Sequence, residues 1–124
     1  MTAEMTPTAL IVEDDPFSAK LYERLLSSVG YHSLVRTNYE GATTYLKKNV
    51  PELVVLDMRL EKKDSGPDIL KVLRNQVRFK ETRVIIITAY SRMIEKYGSM
   101  ADMVILKPLN ARELISYAEE ELAA

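Results

Sequence analysis

The sequence predicts a doubly wound α/β domain: five parallel strands in the order 2-1-3-4-5, flanked by five helices, the fourth of them short. Three observations lead there. Along 124 residues, short apolar runs alternate with helical patterns five times. The apolar runs are continuous rather than alternating, as expected of strands covered on both faces. Strand-helix units in series imply a parallel sheet joined by right-handed crossovers.

Each element has its own local reason. Thr8 to Val12 (TALIV) is a short apolar strand. Pro16 then sits where a first-turn proline belongs, with Asp15 before it as a cap. Phe17, Leu21, Leu25 and Leu26 follow at helical spacing, and Gly30 stops that helix. Tyr31 to Arg36 reads as a second strand, less apolar and so nearer an edge. Tyr39 to Lys48 reads as a helix that ends before Pro51. Leu53 to Leu56 (LVVL) is the third strand. Pro67 starts the third helix, with Ile69, Leu70, Val72 and Leu73 on its apolar side. Val84 to Ile87 is the fourth strand, Ser91 to Tyr97 a short helix, and Met103 to Leu106 the fifth strand. Asn110 caps a last helix carrying Leu114, Ile115 and Leu122. Residues 1–7 are expected to form a tail and 8–124 a single domain, since no linker or repeat divides the chain.

Composition narrows the function classes. Apolar content is 47%, charged content 28% and net charge −1, which gives no electrostatic case for nucleic acid or a membrane surface. No apolar run is long enough to span a bilayer. The start MTAEMTPT lacks a basic segment followed by an apolar one, so a signal peptide is not expected. There are no cysteines, which excludes disulfides, thiolate metal sites and a cysteine nucleophile, and fits a cytoplasmic setting. The single histidine, His32, argues against a multi-histidine metal site.

The chemistry lies at the strand ends. Doubly wound sheets bind ligands beyond the carboxyl ends of their strands, beside the switch point between strands one and three. After strand one come Glu13, Asp14 and Asp15; after strand three comes Asp57; after strand four Thr88 and Ala89; after strand five Lys107 and Pro108. An unpaired carboxylate at the tip of the most apolar strand is costly. If strands one and three are neighbours, Glu13, Asp14 and Asp57 converge and call for a cation. Hard oxygen donors suit Mg²⁺. Lys107 supplies a second positive charge, and Thr88 a hydroxyl. That assembly suits phosphoryl transfer onto Asp57, with the carboxylate as nucleophile and the cations neutralising phosphoryl oxygens. Asp15 reads as the helix cap.

Read together, "ALIVEDDPF", "VVLDMRL", "DSGPDILKVLR", "IIITAY" and "VILKPL" resemble the receiver domain of two-component response regulators (the CheY-like fold), over nearly the whole chain. The resemblance implies Asp57 as phosphoacceptor, Glu13 and Asp14 as the acidic pair, and the backbone carbonyl of Arg59 as a further Mg²⁺ ligand. It implies that Thr88 and Lys107 contact the phosphoryl group and that the Lys107–Pro108 bond is cis. It also implies a phosphodonor, either a histidine kinase or a histidine phosphotransfer protein. The domain would then be a protein-interaction switch rather than an enzyme, monomeric or a weak phosphorylation-dependent dimer.

The sequence departs from the family pattern in three places. Val104 stands where an aromatic residue is frequent. The loop after Asp57 is the charged "RLEKKDSG", one residue longer than usual and without proline. Thr88 and Lys107 are closer than usual, which shortens the region of the fourth helix. An alternative is therefore a pseudo-receiver, an interaction module that does not cycle phosphate. A phosphohydrolase of the haloacid dehalogenase type is disfavoured, because Arg59 stands where its second aspartate belongs.

Overall fold

The computed structural model describes residues 6–123. Of the tail expected over 1–7, residues 1–5 lie outside the described residues. The elements run β1 (Thr8–Val12), α1 (Pro16–Val29), β2 (His32–Arg36), α2 (Tyr39–Lys48), β3 (Leu53–Leu56), α3 (Gly66–Asn75), β4 (Arg83–Thr88), α4 (Ser91–Tyr97), β5 (Met103–Leu106) and α5 (Ala111–Ala123). The sheet is parallel throughout, in the order β2-β1-β3-β4-β5. The doubly wound reading of the sequence is the observed architecture.

Residue alternation along the strands feeds two cores, one on each face of the sheet. Leu10, Val12, Val54, Leu56, Val84 and Ile86 face α2 and α3, where they meet Leu46, Ile69, Leu70, Leu73 and Phe79. Ala9, Ile11, Leu53, Val55, Ile85 and Ile87 face α1 and α5, where they meet Tyr22, Leu26, Leu114 and Ala118. Burying one such aliphatic side chain contributes roughly 1.5–3 kcal/mol, so each face is a substantial source of stability.

Helix ends follow the sequence cues. Asp15 caps α1, its carboxylate accepting from the Ser18 amide at 3.1 Å and hydroxyl at 2.6 Å. Gly30 closes it at φ 115°, a left-handed conformation glycine adopts without strain, and its amide bonds the Leu26 and Ser27 carbonyls. Asn38 caps α2 through the Gly41 amide at 2.8 Å.

The buried side of α1 differs in part from the expected one. Leu26 is buried and Leu25 packs against the core as expected, but Phe17 is 87% and Leu21 43% exposed, and Ala19 and Tyr22 complete the buried face. The leucine-phenylalanine spacing is helical on more than one face, and the sheet selects the face carrying the smaller alanine. A 3-10 turn at Val77–Phe79 also escaped the sequence reading, although it buries Phe79 completely. After α4 the chain makes a second 3-10 turn, Gly98–Met100, before β5.

Candidate functional site

Strand register assembles the site. Val12 pairs with Leu56, so Glu13 and Asp57 leave the sheet side by side, and the Asp57 amide donates to the Val12 carbonyl at 3.0 Å. Thr88 pairs with Leu106, which brings Lys107 to the next position on the neighbouring strand; its amide donates to the Thr88 carbonyl at 2.8 Å. The segments after four strands, β1, β3, β4 and β5, thus meet at one hollow of about 260 Å³ at the carboxyl edge of the sheet.

Glu13, Asp14 and Asp57 each offer a carboxylate oxygen within 4.8 Å of the others. Glu13 and Asp57 are buried, at 1% and 7% exposure, whereas Asp14 is half-buried. The Lys107 ammonium bridges the two buried acids, 3.0 Å from Glu13 Oε1 and 3.1 Å from Asp57 Oδ2. Glu13 Oε2 accepts from the Asp15 amide at 3.1 Å, and Asp57 Oδ1 from the Arg59 amide at 3.3 Å. Asp14 Oδ2 accepts from the Glu61 amide at 2.9 Å, which ties the loop after β3 to the loop after β1.

The electrostatics follow from this crowding. Burial pushes the Glu13 carboxyl up to about 7; the Asp57 charge adds to the rise, and the Asp15 amide and Lys107 only partly oppose it. Burial works against the Lys107 ammonium, but the attraction of Asp57 and Glu13 outweighs that, and its pKa ends above the ordinary lysine value. Asp15 is held below the usual carboxylate range by its bonds to Ser18. One ammonium against three carboxylates leaves negative charge uncompensated. The donors are oxygens only, and they fit a hard divalent cation better than a transition metal.

The site residues expected from sequence meet here with two qualifications. Thr88 is fully buried beneath the hollow rather than on its wall, and its hydroxyl accepts from the Tyr90 amide at 3.3 Å. The Arg59 side chain points to the rim: its guanidinium lies 3.5 Å from Asp64 and 6.0 Å from the centre of the Tyr90 ring. The Lys107–Pro108 bond is cis, and Val104 is half-buried against the core.

Gly66, the first residue of α3, passes directly under the site. A Cβ there would collide with Met58 Cα and the Asp57 carbonyl oxygen, and its amide bonds the Met58 carbonyl at 3.0 Å. The sequence reading missed this glycine and also Lys62, which lines the hollow. The glycine was legible as a small residue before a helix-starting proline; Lys62 carried no cue, being one charge in a charged loop.

The chain matches the family model of the response regulator receiver domain over residues 9–119. Transcriptional regulatory protein AruR of Pseudomonas aeruginosa is 37% identical over 123 residues, covering 93% of this chain and 49% of that protein. Transcriptional regulatory protein DltR of Streptococcus agalactiae is 33% identical over 110 residues, covering 86% of this chain and 48% of that protein. The chain therefore spans about half the length of these curated relatives. Among solved structures, the signal receiver domain of a signal transduction histidine kinase from Syntrophus aciditrophicus superposes with a TM-score of 0.83 at 28% identity, covering 94% of this chain and 90% of that one. The receiver domain of Francisella response regulator 1452 gives 0.79 at 27% identity, covering 94% of this chain and 97% of that one. The strand order, the acidic strand ends and these matches agree: the chain belongs to the response regulator receiver domain family of two-component signalling.

Proposed function

We propose that this domain accepts a phosphoryl group on Asp57 and uses it to switch protein–protein contacts. The observation that carries the reading is the Lys107 ammonium held between Glu13 and Asp57 at 3.0 and 3.1 Å, inside a cluster of three carboxylates. An Asp57 carboxylate oxygen attacks phosphorus as the P–N bond of a donor phosphohistidine breaks. The electron pair stays with the imidazole nitrogen. The donor would be a histidine kinase or a histidine phosphotransfer protein, and the transfer takes place in the cytoplasm.

Glu13, Asp14, Asp57 and the Arg59 carbonyl would hold Mg²⁺. The ion supplies positive charge to the phosphoryl oxygens. Lys107 is already poised at Asp57 and needs only to exchange a carboxylate contact for a phosphoryl one. Thr88 accepts from the Tyr90 amide and keeps its own O–H free to donate to a phosphoryl oxygen, so a shift of Thr88 toward that oxygen pulls the segment after β4 through this bond. Val104 provides no aromatic ring for the readout, which leaves this Thr88–Tyr90 bond as the link to α4. The target is a protein surface; a net charge of −1 gives no electrostatic case for direct nucleic-acid binding by the domain itself.

Incubation with acetyl phosphate and Mg²⁺ tests the reading. The expected result is one added phosphoryl group, labile to hydroxylamine and absent from Asp57→Asn. A variant that labels as well as the parent overturns the assignment, and a parent that never labels favours the pseudo-receiver.

A further inference from the structure

The loop after β3 makes a two-residue turn without glycine. Glu61 and Lys62 both hold positive φ, 51° and 66°. For residues with a Cβ this conformation costs roughly 1–2 kcal/mol each. Two sets of bonds hold it in place. Leu60 and Lys63 exchange backbone hydrogen bonds at 2.8 and 2.9 Å, and the Glu61 amide donates to Asp14 at 2.9 Å. The turn is thus fastened to the acidic cluster itself.

Its outcome is the placement of Lys62 on the wall of the hollow. Three cations line that hollow, and two are engaged. Lys107 bridges Glu13 and Asp57, and Arg59 pairs with Asp64. Lys62 makes no ion pair among the described residues. The neighbouring Lys63 lines a different hollow, with Asn38, Tyr39 and Ser65.

We propose that Lys62 is a specificity-determining residue of the phosphoryl-accepting site: an unpaired cation on the rim that captures the dianionic end of a small acyl phosphate and turns its phosphorus toward Asp57. The inference rests on the reading of Asp57 as acceptor. Negative charge in the hollow repels such a donor, and a second, unpaired cation lining the same hollow offsets that repulsion. In the step it assists, an Asp57 oxygen forms the new O–P bond, the P–O bond to the acyl group breaks, and the carboxylate leaves with the electron pair. No proton is needed, and charge is conserved.

The experiment is the second-order rate of Asp57 phosphorylation by acetyl phosphate with Mg²⁺, at several salt concentrations. The variants are Lys62→Gln, Lys62→Arg and Lys63→Gln. Lys62→Gln is expected to slow the reaction about three- to tenfold and to flatten its salt dependence. Lys62→Arg should restore both, and Lys63→Gln, with the same change in net charge, should leave both unchanged. A purely structural role for Lys62 would leave the salt dependence intact. The inference fails if Lys62→Gln matches the parent, if Lys62→Arg does not rescue, or if Lys63→Gln loses as much. A parent that labels beside an unaffected Lys62→Gln overturns this inference alone. A parent that accepts no phosphoryl group overturns the Asp57 reading and this one with it.

Discussion

Both ends of the sheet gather charge, and they do so with opposite outcomes. At the carboxyl end, Glu13, Asp14 and Asp57 crowd together, and Lys107 is the one cation paired with any of them among the described residues. At the amino end, two guanidinium groups meet two carboxylates. Arg74 lies 2.8 Å from Asp102, Arg83 lies 3.4 Å from Asp102, and Arg83 lies 3.0 Å from Glu121. Asp102 also accepts from the Val84 amide at 2.7 Å, while Arg74 donates to the Met100 carbonyl at 2.7 Å and to Thr82 at 3.3 Å. The amino-end set is balanced, and its central members are bonded on several sides. It fastens α3, β4, the turn before β5 and α5 to one another. The carboxyl-end set is unbalanced and opens into a hollow. Charge that fastens elements is closed by the fold; charge left for a ligand is not.

The largest effect expected from breaking this contrast is at the closed end. Asp102→Ala removes the partner of Arg74, Arg83 and the Val84 amide together. Stranding a buried charge costs roughly 3–5 kcal/mol. The Asp102 side chain is 25% exposed, so the expected loss is below that range, about 2–3 kcal/mol in urea unfolding. A loss under about 0.5 kcal/mol, the level of a surface pair, would show that the network fastens nothing.

At the open end the same kind of substitution should act differently. Asp14→Ala relieves repulsion within the carboxylate cluster but also removes the acceptor of the Glu61 amide, so the two changes offset and stability without metal is expected to change little. Mg²⁺ binding should weaken at least about tenfold, close to 1.4 kcal/mol, because a hard ion loses a charged ligand. Titration of Mg²⁺ beside a urea curve for the same variant checks both halves. Unchanged metal binding would remove Asp14 from the site.

How far the sequence foretold these two ends is uneven, for a physical reason. The carboxyl-end site was legible because β-strand tips are fixed by apolar runs. Once β1 and β3 were placed as neighbours, Glu13 and Asp57 had to meet. Lys107 followed from its position after β5. What was not legible depends on side-chain reach and loop shape. Arg74 crosses from α3 to the turn before β5, and no local pattern announces such a long-range bond. The Glu61–Lys62 turn adopts left-handed backbone without the glycine that ordinarily marks it. Thr88 was correctly placed at its strand end, but its burial beneath the hollow follows from the β4–β5 register and the Tyr90 amide, neither of which the sequence displays. On α1, Phe17 fits a helical period and still faces solvent, because periodicity fixes the helix and not which face the sheet takes.

A smaller effect should appear with pH at the open end. Glu13 titrates near 7 in the fold, above its ordinary value of about 4.5, chiefly because it is buried. The folded state therefore binds this proton more tightly than the unfolded chain. Without metal, the stability it contributes is present below about 4.5 and is lost as pH climbs through about 7. Metal binding needs the deprotonated carboxylate, so Mg²⁺ affinity should run the other way and rise about tenfold from pH 6 to pH 8, as the ionised fraction of Glu13 grows from about a tenth to about nine tenths. Glu13→Gln should flatten both trends. A parent whose Mg²⁺ affinity is level across that interval would mean that Glu13 is already ionised at pH 6 or is not a ligand.

The smallest expected effect sharpens the comparison from within the closed end. Glu121 pairs with Arg83 at 3.0 Å, but the Arg83 side chain is 44% exposed. Water and salt screen such a pair, and ordering two long side chains offsets part of the attraction. Glu121→Gln keeps the side-chain shape and removes only the charge. Its expected cost is about 0.2–1 kcal/mol, fading at high salt, against the several-fold larger cost of Asp102→Ala. The two changes differ in what they strand: Arg83 retains Asp102 when Glu121 is neutralised, whereas Arg74 and the Val84 amide both lose their carboxylate acceptor when Asp102 is removed. Urea curves at low and high salt separate the cases. If Glu121→Gln costs as much as Asp102→Ala, the four residues act as one cooperative unit and burial does not rank them. If it costs little, Asp102 alone is the keystone of the amino end, and Glu121 only tethers α5 to the edge of an already closed network.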